Sequence, residues 1–335
     1  MIEKVQIKNF KSIKDLSFNC SRINIFIGEP NTGKSNILEA IGILSLPYVG
    51  LSRIHEAVKK LIRFETSEQL FYDNQINEPV EIETNIAKIQ ISFNYSSRVF
   101  LFQLSSLNKK RLKIKMDLLL DGNLSNYQPN KILSFQSLIK FYRFVDDKKF
   151  KDLTPGPLIP PHGDNLSVCI RTNKEISDYV SSLLAGFGLK LNIKELENNI
   201  EISKLVDDVI ISFPYSSLSD TLQRIIFYYT AIQSNKNTTL LLEEPEAHSF
   251  PFYTKELAEM IALDTNNNQY FISTHNPYFL LSVVEKAKKQ DLSIFITYLK
   301  EYKTRLKKLT DDEVEELLDY ASALFFNLDK FFPEK

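Results

Sequence analysis

The sequence predicts an α/β fold with a mostly parallel central sheet, an antiparallel β insertion and a helical lobe. Three observations carry this. Short apolar runs alternate with helix-patterned stretches near both ends of the chain, as in a parallel sheet covered by helices. From Val80 to about Leu120, strand-like runs follow one another without a helix between them. A Pro-rich loop and a mostly helical stretch then lead back to the alternation.

Each element has its own reason. Residues 2–10 alternate Ile2, Val5 and Ile7 with charged neighbours, as an edge or hairpin strand does. RINIFIG, Arg22 to Gly28, is a β-branched run ending at glycine. In GKSNILEAIGIL, residues Ile37, Leu38, Ile41 and Leu44 share one helical face. That helix stops before LPYVG, because Pro47 biases Leu46 out of the α region. A second helix is expected over about 51–62. VEIETNIAKIQISFNY, RVFLFQL and RLKIKMDLLLDGN read as strands, with Asp121-Gly122 a turn. LTPGPLIPPHGDNL, Leu153 to Leu166, is the Pro-rich loop, and strands are expected again around IEISKL and DVIISF. The helix DTLQRIIFYYTAIQS then precedes the strand TTLLLEE, Thr238 to Glu244. The helix YTKELAEMIALD leads to QYFIST, and a further helix to LSIFITYL. Thr310 with Glu313 three residues on is a capping box for a last helix. These elements divide the chain into an N-terminal core part (1–75), the β insertion (76–150), a loop and helical lobe (151–210) and a C-terminal core part (211–335).

Composition narrows the class. With 335 residues and 43% hydrophobic content, the chain can bury a large core. The net charge is −1, from 41 basic and 42 acidic residues, without the basic footprint of a dedicated nucleic-acid binder. Cys20 and Cys169 form no CxxC pair or disulfide framework, which makes a reducing cytosol the default. No apolar run reaches the ~18 residues of a membrane span. MIEKVQIKNF reads as a strand rather than a signal peptide. A cytoplasmic location without membrane contact is the expectation.

The chemistry begins at GEPNTGKS, Gly28 to Ser35, which matches G-x-x-x-x-G-K-[ST] between an apolar strand and an amphipathic helix. Gly28 and Gly33 permit backbone conformations that aim several N–H groups at one anion. The helix N-terminus adds its positive dipole end. Lys34 would reach the β- and γ-phosphates of ATP, and Ser35 would ligate Mg2+. Asn31, Thr32 and Asn36 complete the nucleotide-binding set.

TTLLLEEPEAH ends a strand on two adjacent carboxylates, Glu243 and Glu244. Unpaired charge at a buried strand end is expensive, and a metal ion offsets it. Strand alternation points the two side chains in different directions. Glu243 is assigned to hold Mg2+ through water, and Glu244 to polarise the attacking water. A solvent-exposed acidic strand end is the plainer alternative. QYFISTHNP ends the next strand at Ser273, Thr274, His275 and Asn276, where ligands bind in open α/β sheets. Taken alone, His275 reads first as a hydrogen-bonded structural residue. His248 and His162 are read as structural, and His55 as a surface residue. YSSLSDTLQR, Tyr215 to Arg224, is a competent helix start at Ser219 or Asp220. The N–H groups that need a cap there also bind phosphate, so a nucleotide contact is the second reading.

In this order, the phosphate loop, β insertion, Ser-rich helix start, LLLEEPEAH and STHNP resemble the ABC-type P-loop NTPase heads of the SMC/RecF-like and OLD-type families. The resemblance covers most of the chain. It implies a Walker A lysine and serine at Lys34 and Ser35, a Walker B acid at Glu243, a catalytic base at Glu244 and a switch histidine at His275. IKNFKSIKDL resembles the first hairpin of these heads, which places Lys11 and Ser12 near the nucleotide. Gln69 is the candidate for the glutamine that reaches the metal. HGDNLSV, His162 to Val168, resembles a loop-helix element of the single-head relatives. Ser219 would touch the γ-phosphate of a second copy. Thr221 stands where those families usually have a glycine. Only about 60 residues follow the histidine motif, without an acidic constellation, so no Toprim nuclease is expected. No coiled-coil heptads appear.

Three functions stay open at this point. One is an Mg2+-dependent ATPase working as an ATP-sandwiched homodimer. The second is a nucleotide-gated module that holds an effector protein, as in defence or toxin–antitoxin systems. The third is a RecF-like DNA-repair ATPase, for which the run NKKRLKIK with Lys109, Lys110 and Arg111 is the local support for nucleic-acid binding.

Overall fold

The fold was obtained as a computed structural model that describes residues 1–48, 51–107, 112–128, 138–146, 150–195, 197, 199–320 and 325–332. The basic run at 108–111 lies outside the described residues.

The chain opens on a hairpin, β1 (Lys4–Phe10) and β2 (Ile13–Asn19), then enters the core as β3 (Ile23–Ile27). After the helix Lys34–Gly42 come β4 (Val80–Thr84), β5 (Ala87–Asn94), β6 (Val99–Ser106), β7 (Lys113–Leu118) and the short β8 (Leu124–Ser125). These join the hairpin in one antiparallel sheet of order β2-β1-β4-β5-β6-β7-β8. The expected insertion is therefore continuous with the N-terminal hairpin: β1 pairs with β4, Ile7 opposite Ile82. β5 alternates buried and half-buried residues, as a sheet with one covered face requires.

The core sheet adds β9 (Ile139–Tyr142), and a separate three-stranded sheet follows as β10 (Lys190–Lys194), β11 (Asn199–Val206) and β12 (Val209–Pro214). The core is completed by β13 (Thr239–Glu243), β14 (Gln269–Ser273), β15 (Leu292–Lys300) and β16 (Lys303–Lys308). Its order is β16-β15-β3-β14-β13-β9, parallel except for β16. β3 and β14 are buried at every position, the signature of a parallel sheet covered on both faces. Phe26, Leu241, Phe271 and Phe295 pack with Ile37 and Leu38 on one face. Ile25, Leu242, Ile272 and Ile296 pack with Phe227 and Ile261 on the other.

Burial also explains why β9 escapes sequence reading. Its second residue, Lys140, is only 7% exposed, and its amine donates to Asn235 Oδ1 at 2.6 Å. A buried lysine interrupts the apolar run that would mark the strand. The expected second helix is a 3-10 turn, Leu51–Glu56, running into a short α-helix, Ala57–Leu61. The capping box of the helix Asp311–Asp319 forms as expected. Among the described residues, no helix is long and apolar enough to cross a membrane.

Candidate nucleotide site

The loop from Gly28 to Ser35 joins β3 to the helix Lys34–Gly42. Two of its positions demand glycine. Gly33 has φ +100, and a Cβ there would meet Thr304 Oγ1 at 2.1 Å. Gly28 has φ +150, and its Cβ would meet the Thr297 carbonyl oxygen at 2.4 Å. The loop is thus pressed against β15 and β16. A hydroxyl pair pins it there, Thr32 Oγ1 to Thr297 Oγ1 at 2.7 Å, and Ser12 on the first hairpin's turn pairs likewise with Thr304 Oγ1 at 2.7 Å. Asn36 donates to Ser12 Oγ at 2.7 Å, so the first hairpin, the loop and its helix form one frame. Asn31 takes a left-handed φ of +63 at the exposed crest. The Lys34 amine donates to the carbonyls of Gly28 (2.8 Å) and Glu29 (2.7 Å). Burial lowers its pKa to about 8, against the opposing charges of Glu244 and Glu29.

The two carboxylates leave β13 in different surroundings. The Glu243 side chain is 8% exposed. Its Oε1 accepts from Arg63 at 2.5 Å and its Oε2 from Arg143 at 2.6 Å. The Ser35 side chain stands beside this carboxylate and favours its charged form. Burial works against its charge, but Arg143, Arg63 and Ser35 outweigh it and hold the pKa below the ordinary value. Glu244 is more exposed, sits at φ +42, and places Oε1 3.5 Å from His275 Nε2. The His275 pKa is lowered by burial and by the Lys34 charge, with Glu244 opposing. A lowered imidazole is neutral at pH 7 and can donate or accept one hydrogen bond.

Sequence reasoning missed the charge cluster behind these groups. Glu39, one turn after Ser35 on the same helix, is 0% exposed. It receives Lys11 Nζ at 2.5 Å, Arg63 Nε at 2.9 Å and an Arg143 guanidinium nitrogen at 3.2 Å. Arg63 and Arg143 each bridge Glu39 to Glu243. Lys11 also donates to the Arg63 carbonyl at 2.6 Å, so it fastens the first hairpin to the cluster. Burial lowers the Lys11 pKa, while Glu39 works the other way. Arg143 is itself held by the Pro-rich loop, its N–H donating to the Pro161 carbonyl at 2.9 Å. The i, i+4 spacing of Ser35 and Glu39 is the one sequence signal for this cluster.

The remaining candidates fall elsewhere. Gln69 lies on the turn Ser67–Leu70, its side-chain Oε1 accepting the Glu65 N–H at 2.8 Å, and it takes no part in the contacts above. Ser219 caps the helix Asp220–Gln233, accepting the Leu222 N–H at 3.4 Å. Thr221 Oγ1 donates to the His248 carbonyl at 2.9 Å, tying that helix start to the turn after Glu244. A groove of about 860 Å3 lined by Leu281, Val284, Leu292, Ile294, Val314 and Leu318 shares no residue with the site. Among the described residues, no three His, Cys, Asp or Glu side chains gather as a metal site. The neighbouring oxygens of Ser35 and Glu243 nonetheless fit Mg2+, a hard cation that keeps several waters and needs few protein ligands.

A phosphate loop pinned to a mostly parallel sheet, an acid pair ending one central strand and a histidine ending the next define a P-loop ATPase head of the ABC type, in the SMC/RecF-like class. More particularly, the chain belongs to the family described as "AAA domain, putative AbiEii toxin, Type IV TA system", whose pattern matches residues 23–282. An "ATP/GTP phosphatase" of Helicobacter pylori is 23% identical over 336 aligned positions, covering 88% of this chain and 90% of that protein. An Smc head solved with the C-winged helix domain of ScpA superposes with a TM-score of 0.55 at 16% identity, covering 94% of this chain and 99% of that one. An Smc head with a coiled coil and joint from Pyrococcus yayanosii gives 0.54 at 11% identity, covering 96% and 99%. At these identities the two Smc heads share the fold with this chain.

Proposed function

We propose that this chain is an Mg2+-dependent ATPase head that works as an ATP-sandwiched homodimer and controls a partner protein. One observation carries the reading: Glu244 faces His275 at 3.5 Å, within the field of the Lys34 amine, while Ser35 stands beside the Glu243 carboxylate and favours its charge. The loop N–H groups and the helix N-terminus hold the phosphates. Lys34 trades its two carbonyl partners for phosphate oxygens. Ser35 and Glu243 hold Mg2+, which neutralises phosphate charge when bound. Glu244 orients the attacking water and takes its proton as the water oxygen bonds to the γ-phosphorus and the bond to the ADP oxygen breaks. Neutral His275 contributes one hydrogen bond near the γ-phosphate. Ser219 of a second copy would complete the site. The Helicobacter relative's name supports nucleoside triphosphate hydrolysis, and the ScpA-bound Smc head supports a head that carries a partner.

Three variants test this. Lys34→Ala should abolish nucleotide binding. Glu244→Gln with ATP and Mg2+ should accumulate a dimer in light scattering; a strict monomer under these trapping conditions refutes the sandwich. Ser219→Arg should keep ATP binding by each chain but lose dimer-dependent turnover. If turnover survives, the segment is only a cap.

The double arginine clamp on Glu243 favours a second reading, the nucleotide-gated module. An acid held this way must be released before it serves a metal, which suits slow turnover that a partner accelerates. Robust hydrolysis unaffected by candidate partners rules this out. For a DNA-maintenance role the support is the Lys109–Arg111 run. That role requires salt-dependent DNA binding that is lost when the run is neutralised.

A further inference from the structure

We propose that Glu246 is a positioning residue for turnover: buried behind the strand ends, it ties the exit of β13 to the exit of β14 and so fixes Glu244 against His275. The proposal rests on the reading of that pair given above.

The geometry is a latch between two turns. Glu246 is 3% exposed, and its Oε1 accepts the hydroxyl of the fully buried Thr274. The backbone N–H of His275 lies close enough to favour the charged form of the same carboxylate. Thr274 Oγ1 in turn accepts the Asn276 N–H at 3.0 Å. Asn276 caps the helix Pro277–Lys286, accepting from Tyr278 N at 2.9 Å and Phe279 N at 3.2 Å. On the other strand end, the Glu244 N–H donates to the Ser273 carbonyl at 3.0 Å, and the Ala247 N–H to the Glu244 carbonyl at 3.0 Å. Glu244 is held at φ +42, a left-handed backbone that a non-glycine residue keeps only when its surroundings enforce it. The Glu246 latch is part of that enforcement.

A neutral glutamine would accept the Thr274 hydroxyl at a smaller burial cost, so the choice of an acid calls for a reason. Glu246 Oε2 is buried with no hydrogen-bond partner. Burial raises the Glu246 pKa to about 7; the Thr274 hydroxyl and backbone bonds oppose this, and the Glu244 charge adds to it. The groups that face it are Glu244 on its own turn, His275 at the end of β14 and Tyr228 on the helix Asp220–Gln233. With Glu246 protonated, Glu244 keeps its charge without a like charge behind it. As pH rises through about 7, Glu246 ionises and the two carboxylates repel. Two acids whose surroundings push their proton affinities apart are suited to divide their roles.

The test compares Glu246→Gln, Thr274→Val and Thr274→Ser, with Glu244→Gln as the reference for the pair itself. Three quantities are read: kcat and KM for ATP between about pH 6 and 9, nucleotide affinity by fluorescence, and the His275 ring signals by NMR without nucleotide. The chain has four histidines, so the signals are assignable with a His275→Gln variant. Thr274→Val, which removes the donor to Glu246, should lower kcat by ~10- to 100-fold, as small misplacements of reacting groups do, with affinity changed less than ~3-fold, and should shift the His275 signals. Thr274→Ser, which keeps the hydroxyl, should restore both properties. Glu246→Gln, which still accepts the Thr274 hydroxyl, should keep kcat near its low-pH value and remove the inflection near pH 7 from the kcat profile. Unchanged kcat with unmoved His275 signals in Thr274→Val overturns the latch, and so does a rise in KM at constant kcat. If Glu244→Gln turns over normally, the catalytic pair itself is wrong, and the His275 signals still decide whether the latch exists.

Discussion

Replacing Glu39 by glutamine should cost about 3 kcal/mol of stability. The carboxylate is 0% exposed and is met by Lys11, Arg63 and Arg143 at 2.5, 2.9 and 3.2 Å. The Lys11 and Arg143 side chains are 14% and 17% exposed, so two of the three partners have largely left water. Removing the anion from such a group leaves buried positive charge uncompensated, which costs ~3–5 kcal/mol. Arg63 is 58% exposed, and solvent screens its share to ~1 kcal/mol or less. Glu243 still holds both arginines after the change, which puts the total at the lower end of the range. The Lys14–Glu78 pair supplies the control. Its ions are 2.6 Å apart but 36% and 57% exposed, so Glu78→Gln should cost under ~1 kcal/mol. Urea unfolding at neutral pH and fixed salt measures both variants. Equal midpoints for Glu39→Gln and Glu78→Gln would refute the argument, since it depends on burial and not on ion-pair distance.

Other perturbations follow from the same structure. Gly33→Ala combines a φ of +100 with a Cβ 2.1 Å from Thr304 Oγ1; it should weaken nucleotide binding at least ~10-fold by titration, and unchanged affinity would show that the loop can move off β16. Because the folded pKa of Glu243 lies below the ordinary 4.5, its stabilisation is fully present above that value and lost as pH falls through the folded one. Wild type should therefore lose stability more steeply than Glu243→Gln below about pH 4.5, and parallel curves in acid would contradict the clamp. Asn165 is 0% exposed, accepts the Ile159 N–H at 2.9 Å and donates to the carbonyls of Thr154 and Pro157. Asn165→Ala should cost ~1–3 kcal/mol by urea unfolding, and a smaller loss would mean that the loop does not depend on it.

The elements that sequence reading found share one property: each buries its hydrophobic pattern locally. Residues 240–242 and 270–272 are unbroken apolar runs within TTLLLEE and QYFIST because both faces of β13 and β14 are covered there. The Thr310–Glu313 capping box announces its helix through four residues. β9 failed this test because Lys140 breaks its apolar run, and its place beside β13 is set by partners about a hundred residues away. The sheet shared by β1 and β4 was hidden for the same reason. Alternation marks a strand but does not say which strand it will pair with, and Val5 opposite Thr84 is a long-range choice.

The candidate site divides along the same line. Gly28, Gly33, Lys34 and Ser35 were legible because one turn of backbone holds them, and the chemistry fixes their spacing. Glu243, Glu244 and His275 were legible because strand ends of a parallel sheet converge on one edge. Arg63 and Arg143 carried no such spacing: one follows a short helix and the other ends an edge strand, and only the folded chain brings both to Glu39 and Glu243. Their presence changes what the motif means. A Walker B acid read from sequence is a carboxylate waiting for a metal, whereas here both of its oxygens are already occupied by guanidinium groups. On the proposed function, filling the site with nucleotide and cation would exchange one set of charges for another. Arginines released from Glu243 in that exchange would still have the buried Glu39 as a partner, one helical turn from the phosphate loop.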